Sequence, residues 1–400
     1  MPHSRPVVGI RLPIWAGSTA PVLGGVADYM RKHSHWRIET LNDSYGEMEK
    51  VEITVGWQGD GLILYRATAE ELEDFKQRGI AVVLLSTEGP DLGYPRILPD
   101  NEAAGEIAAA HLLSLGLNSF AYLARGETLY RQKEYISGTR IYSRERLVGY
   151  KSALAKSGCE PAVHMLPGFP LWKKESWKRI EKAVEKFLVK LPEKTGLFAV
   201  DDALASVALR VAERVGIAVP QSLAVLGFGD DLNYCHASLP TLSSIPYPAR
   251  TIGYAAAKCL TQQMKTHNLG SEIRRIPIES VHRRESTDFL AIADEETARL
   301  VRWIRKSAPN LAIRIEDLLE QTPYSHSTVK MKFKQHLGHS PKKEISRTRL
   351  THLKFLLDDP SLSLAEITSM MQFASTHELG RFFMRETGER PTVYRTRKKG

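Results

Sequence analysis

The chain is short of cysteine and holds an odd number of it: Cys159, Cys235 and Cys259 in 400 residues. Three thiols cannot build a disulfide framework, and so few of them point to a reducing compartment. Long apolar runs are also missing; none approaches the ~20 residues that a membrane-spanning helix needs. The opening Met-Pro-His-Ser-Arg-Pro lacks the apolar core of a signal peptide. There is no phosphate-cradling glycine loop, no Gly-x-Ser-x-Gly elbow and no metal-spaced set of Cys and His. Gly56-Trp57-Gln58-Gly59-Asp60-Gly61 has the wrong glycine spacing for a dinucleotide fingerprint and precedes a strand pattern instead of following one. Asp201 and Asp202 are a pair of acids, but neighbours on a strand point to opposite faces. These absences predict a cytoplasmic protein that is not an enzyme, with no catalytic residues, no metal, no cofactor and no membrane partner.

What is present is an ordinary globular mixture, 42% hydrophobic and 25% charged, long enough for two or three domains. The formal charge of +9 is unevenly spread. From Phe289 onward there are 20 Lys and Arg against 13 Asp and Glu, and the first 288 residues hold 35 against 33. The surplus concentrates further from Gln321 onward, with 15 basic against 7 acidic residues. A nearly neutral body with a basic end predicts a sensor or catalytic body carrying a polyanion-binding tail.

Residues 1–288 alternate apolar strand patterns with amphipathic helix patterns. Val7–Leu12, Gly61–Tyr65, Ile80–Leu85, Phe120–Ala124, Leu197–Val200 and Leu223–Phe228 read as buried strands. Ala69–Arg78, Glu102–Leu115, Glu145–Lys156, Lys174–Lys190, Ala203–Val215 and Ala249–Lys265 read as helices. This alternation predicts parallel, doubly wound sheets with right-handed crossovers. About 280 residues exceed one such sheet, so two lobes with a cleft between them are expected. Ligands bind beyond the carboxyl ends of such strands. Trp15, Ser18 and Thr19, Asp100-Asn101, Arg125, Asp201-Asp202, and Asp230-Asp231 with Asn233 stand at those ends. Short acids and amides beside Arg and Trp suit a polyhydroxylated ligand, although Asp100, Asp202 and Asp231 also fit helix N-caps. The polar run His282–Asp288 reads as a linker.

Residues 289–400 read as wholly helical. Ile315–Leu319, a break at Thr322-Pro323-Tyr324, a Ser325 cap and a helix with Val329, Phe333 and Leu337 on one face give helix-turn-helix spacing. The opposite face presents His326, Ser327, Lys330, Lys332 and Lys334. About 50 residues later the pattern recurs. Leu364–Ile367, a turn at Gln372-Phe373-Ala374, a Ser375–Glu378 capping box and Leu379, Phe382 and Phe383 inward leave Thr376, His377, Arg381 and Arg385 outward. The units span about 313–341 and 362–391. Two linked units predict recognition helices in successive major-groove segments of double-stranded DNA, roughly 34 Å apart.

Residues Ile315–Arg395, with Phe382-Phe383, Gly388, Pro391 and Tyr394-Arg395, resemble the AraC/XylS DNA-binding domain. Residues 6–288 resemble the LacI/periplasmic-binding-protein sugar-sensing fold, and the combination, in this order, resembles regulators of the XylR type. The resemblance implies a two-lobed α/β sensor followed by an all-α domain, and a dimeric transcription activator controlled by a sugar, a pentose such as xylose. Arg146 in "RERLVGY" matches the family's ligand arginine, Asp202 in "FAVDDALA" a sugar-contacting aspartate and Asp100 in "PDNEAAG" an acidic cleft position. Trp15, Trp172 and Asp230 complete the expected effector set. Ser327, Thr328, Lys330 and Lys332, then Thr376, His377, Arg381 and Arg385, form the expected DNA-contacting set. The expected partners are DNA, the sugar, a second copy of the chain, and RNA polymerase. Two departures stand out. The family's Gly-Phe/Ile-Asp is here Gly227-Phe228-Gly229, with Asp230 one place later, and Gln372 replaces a turn glycine. A sugar-responsive repressor, or a sugar-modifying enzyme with a basic tail, are the alternative readings.

Overall fold

The computed structural model describes residues 5–13, 17–41, 56–87, 92–125, 129–131, 134–136, 141–166, 174–266, 270–288, 294–308, 313–358 and 362–399. They fall into two compact units, residues 1–289 and 290–400.

In the first unit, β1 (Val7–Arg11) leads to α1 (Pro21–His33), β2 (Arg37–Leu41), β3 (Gly61–Leu64), α2 (Ala69–Gln77), β4 (Ala81–Leu84) and β5 (Arg96–Pro99). The chain then crosses into a second lobe. That lobe holds α3 (Asn101–Leu113), β6 (Ser119–Arg125), the antiparallel pair β7 (Leu129–Arg131) and β8 (Glu134–Ile136), α4 (Ile141–Ala155), β9 (Ala162–Leu166) and α5 (Lys174–Leu188). It continues through β10 (Thr195–Ala199), α6 (Asp202–Arg214), β11 (Leu223–Gly229), α7 (Leu232–Cys235) and β12 (Ser243–Pro246). A second crossing brings α8 (Ala249–Thr266) and β13 (Ile273–Ile276) back to the first lobe. The sheets run β13-β5-β4-β3-β1-β2 and β12-β11-β10-β6-β9, parallel throughout.

Each lobe has its own apolar core. Val8, Ile10, Ile63 and Val83 pack with α1 and α8 in the first. Tyr122, Leu123, Phe198 and Val225 pack with α3, α4 and α6 in the second. Two helix pairs approach unusually closely because glycines face backbone. A Cβ built at Gly149 in α4 would sit 1.9 Å from the Glu102 carbonyl oxygen of α3, and one at Gly105 in α3 would sit 2.1 Å from the Arg146 carbonyl oxygen. Gly25 and Gly253 do the same for α1 and α8, at 1.9 Å and 2.0 Å. Under the first sheet, Arg11 and Glu71 form a buried ion pair at 2.6 Å.

The run His282–Asp288 is not the linker its polarity suggests. It is a strap built into the second lobe. His282 and Ser244 exchange backbone hydrogen bonds, Ser286 Oγ donates to the Val225 carbonyl at 2.6 Å, and Ser286 and Thr287 are fully buried. Polar residues signal exposure only when their bonds go to water, and here they go to strand ends.

The second unit contains α9 (Glu295–Ser307), α10 (Ile315–Leu319), α11 (His326–Leu337), α12 (Pro341–Asp358), α13 (Leu364–Met370), α14 (Thr376–Thr387) and α15 (Pro391–Lys399). It has two small cores. Leu300, Val301, Ile304, Leu318, Val329 and Phe333 form one with Ile345. Leu379, Phe382, Phe383 and Tyr394 form the other with Leu353, Leu356 and Leu357. Since Ile345 and Leu353–Leu357 all belong to α12, that helix is shared by both.

Candidate ligand cleft and nucleic-acid interface

Within the first unit a cleft of about 120 Å³ lies at the carboxyl ends of both sheets. The first lobe supplies Ser18 and Thr19 beyond β1, Tyr65 beyond β3, and Ser86 and Thr87 beyond β4. The second supplies Asn101, Tyr142, Arg146, Asp201, Phe228 and Gly229, and Tyr247 stands on the second crossing. Hydroxyls, an amide and aromatic faces around one cation suit a polar ligand with hydroxyl groups.

Arg146 is the centre of the site. It is only 5% exposed. Its guanidinium lies 3.5 Å from the centre of the Phe228 ring and 4.8 Å from that of Tyr142, which precedes it by four residues on α4. Nε donates to Asn101 Oδ1 at 3.0 Å and Nη1 donates to the Val200 carbonyl. Burial pulls its pKa down, against the opposing pull of Tyr122, Tyr142 and Asp201. Asn101 in turn donates to Glu145 at 2.8 Å, and Glu145 pairs with Arg275 of β13 at 2.8 Å, so the amide is held from both sides. The close approach of α3 and α4 at Gly105 and Gly149 is what lets the first residue of α3 reach Arg146.

The three expected aspartates are each displaced by one position. Asp100 caps α3, accepting from the Ala103 amide at 3.1 Å, and its neighbour Asn101 lines the cleft. Asp202 turns away onto Ser244 Oγ (2.5 Å) and the Asp231 amide (2.8 Å), and Asp201 lines the cleft. Asp201 also caps α6 and pairs with Arg125 at 2.9 Å. Asp230, at φ 52°, accepts from His282 Nδ1 at 2.6 Å and pairs with Arg284 at 2.8 Å, while Gly229 lines the cleft. Burial alone would raise the Asp230 carboxyl, but His282 and Arg284 together hold it below the usual range. Trp15 and Trp172 lie outside the described residues. Asn101 is one of the strand-end amides expected near a ligand, whereas the sequence gives no signal for Tyr65, Phe228 and Tyr247; the four-residue spacing of Tyr142 and Arg146 is a readable signal for Tyr142.

Asp202 gives a pH prediction. Burial pushes its pKa up to about 7, more than the hydrogen bonds from Ser244 and Asp231 pull it down. The folded state therefore holds a proton that the unfolded chain releases near pH 4. Stability from this group is complete below that pH and is lost as pH rises through about 7. Asp202→Asn should remove a slope of at most ~1.4 kcal/mol per pH unit. Denaturant unfolding at pH 5 and pH 8 checks this; equal wild-type and variant slopes would refute it.

In the second unit, α10–α11 and α13–α14 are the two helix-turn-helix pairs. Ser325 accepts from the Thr328 amide and Ser375 from the Glu378 amide, so both second helices are capped. Glu378 reaches back to the Ala374 amide, one residue before the expected partner. Gln372 takes φ 54° in the second turn, a left-handed conformation that costs a non-glycine residue about 1–2 kcal/mol. Ser327 and Lys330 are exposed and Thr328 is half-buried; Thr376, His377, Arg381 and Arg385 are all exposed. Lys332 does not stand with them. Its ammonium meets Asp294 at 2.6 Å, tying α11 to the cap of α9 and leaving its charge balanced. Arg385 is partly balanced too, by Glu386 at 3.1 Å.

Residues 109–287 match the model of the periplasmic binding protein-like domain, and residues 318–397 match a helix-turn-helix domain. The chain is 28% identical over 389 residues to the xylose operon regulatory protein of Escherichia coli K12, covering 94% of this chain and 93% of that one. It is 27% identical over 302 residues to the protein of that name in Haemophilus influenzae, covering 76% and 75%. Among solved structures, a xylose-binding transcription activator XylR shares the fold with a TM-score of 0.67, 24% identity and 99% of both chains covered. The alignment therefore runs through both units in one order. Through both units the chain is similar to XylR-type transcription regulators. With that likeness running through both units, the chain is a sugar-responsive DNA-binding regulator and not an enzyme. Among the described residues no helix is long and apolar enough to cross a membrane.

Proposed function

We propose that this XylR-type regulator binds a sugar between the lobes of its sensor and switches transcription of sugar-catabolism genes. The cleft carries the reading: Arg146, braced by Asn101 and stacked on Phe228, faces a ring of hydroxyl and amide groups. Xylose, for which these relatives are named, is the first effector to test. Ligand shifts the equilibrium between lobe arrangements only by its difference in affinity for them. In the cytoplasm, two copies paired through their sensors hold four recognition helices to a promoter, and the bound sugar favours the arrangement that recruits RNA polymerase.

A promoter fusion tests the direction. Reporter output should rise with sugar in cells carrying the regulator; a rise on deleting its gene would make it a repressor instead. At the DNA, Arg381 is exposed and has no partner among the described residues. Arg381→Ala should weaken preference for the operator by ~1–3 kcal/mol. Competition binding against random DNA checks this, and equal loss on both would make Arg381 a phosphate contact.

A further inference from the structure

We propose that the effector is an acidic sugar, whose carboxylate or phosphate sits against Arg146. This rests on the reading of the cleft as a sugar site and adds the charge of the sugar.

The first observation is Arg146 itself. It is almost wholly buried, makes two hydrogen bonds to neutral oxygens, and has no carboxylate within ion-pair distance among the described residues. Its Nη2 has no partner among them, and the residue lines the cleft. Isolated buried charges are strongly disfavoured and are normally paired. The faces of Phe228 and Tyr142 relieve part of this, but a ring quadrupole is a weak substitute for a counter-charge. A ligand anion would supply the missing partner and the two-pronged geometry that guanidinium groups hold best.

The second observation is that the acids nearby are committed elsewhere. Asp201 is shared between Arg125 and the start of α6. Asp202 is turned onto Ser244 and the Asp231 amide, and burial keeps much of it protonated near neutrality. Position 229, at the end of β11, cannot carry an acid at all. Its φ is 132°, and an added Cβ would lie 2.9 Å from Asp202 Oδ2. A side chain there would be strained and would collide with a carboxylate.

The third observation is the opening of α1. This 13-residue helix begins beside Ser18 and Thr19 of the cleft, has no side-chain cap and has no acid in its first turn. α3 and α6, the other helices starting here, are capped by Asp100 and Asp201. The positive end of the α1 dipole therefore meets no carboxylate of its own here, although Pro21 has no amide hydrogen and the Val22 and Leu23 amides are turned onto the Thr19 and Ala20 carbonyls. A neutral sugar would leave Arg146 with no carboxylate at ion-pair distance among the described residues.

The test uses the full-length protein and matched ligands: D-xylose, D-xylonate and D-xylose 5-phosphate, then D-glucose, D-gluconate and D-glucose 6-phosphate. In at least one series the acid or the phosphate should bind about tenfold or more tightly than the neutral parent by calorimetry, as expected of a charge-assisted hydrogen bond. The xylonate or gluconate arm identifies a carboxylate and the sugar phosphate arm a phosphate. Arg146→Gln should erase the preference. A neutral sugar that binds as well as its acid and its phosphate would overturn the acidic effector and leave the sugar sensor standing. If no compound of either series bound or shifted the melting temperature, the sugar reading itself would fall, and this inference with it.

Discussion

Arg146→Ala should abolish the effector response while leaving basal DNA binding intact. The side chain lines the cleft, held by Asn101 and the Val200 carbonyl and flattened on Phe228. Truncating one partner of a desolvated, charge-assisted contact costs about 2–5 kcal/mol. At 1.4 kcal/mol per tenfold, that is a loss of at least about thirtyfold in effector affinity. Two effects on stability oppose each other. The change leaves the Val200 carbonyl unpaired and opens a cavity, but it also removes a buried cation with no acidic partner. The variant should therefore fold. Arg146→Lys keeps the charge and loses the planar fork, so it should fall between wild type and alanine. Calorimetry with whichever sugar stabilises the wild-type protein checks the affinity, and gel shift with operator DNA checks the rest. Unchanged effector affinity in the alanine variant would remove Arg146 from the site.

Gly149→Ala should destabilise the sensor by ~3 kcal/mol or more, at the upper end of what added methylenes cost in a packed core. The new methyl would lie 1.9 Å from the Glu102 carbonyl oxygen and 2.7 Å from its carbon. Both are backbone atoms, so no rotamer relieves the clash and the helices must part. Parting them lengthens the 3.0 Å bond between Asn101 and Arg146, and effector affinity should fall as well. Gly380 is the contrasting case. It lies inside α14 with nothing within 4 Å of an added Cβ, and Gly380→Ala should gain ~0.8–1 kcal/mol. Denaturant unfolding of both variants separates the two situations. A Gly149→Ala protein as stable as wild type would mean that the two helices do not meet as closely as described.

The central strands were legible because they are apolar on both faces. β1, β3, β4, β6, β10 and β11 are nearly all buried, and continuous runs such as Leu62–Leu64 mark them. The strands that went unrecognised include β2, β9 and β13. They stand at sheet edges, with one neighbour each, and Arg37–Leu41 and Ile273–Ile276 carry exposed polar residues. Of the cleft, Arg146 was legible, and beside Asp100, Asp202 and Asp230 the neighbouring residue lines it instead. Where a strand runs into a helix, adjacent side chains diverge by half a turn, and one of the two is taken for capping. Composition cannot say whether the cap is Asp100 or Asn101, or which of Asp201 and Asp202 faces the ligand. Glycine contacts at Gly25, Gly105, Gly149 and Gly253 were illegible for another reason. Each depends on a partner backbone more than forty residues away, so nothing in the local pattern announces it. The strap misled because polarity was taken for exposure.

That strap also fixes what a hinge rotation can transmit. The polypeptide passes between the lobes three times, at Pro99–Asn101, Pro246–Ala249 and between Ile276 and His282. After the third passage it is riveted to β11 and β12 through His282, Arg284 and Ser286. The take-off point for the DNA-reading unit is therefore fixed in the frame of the second lobe alone. Any angular change at the hinge carries that point along an arc about the first lobe, as the tip of a lever follows its arm. If two sensors were fastened to each other through their first lobes, the separation of the two take-off points would become a gauge of cleft angle.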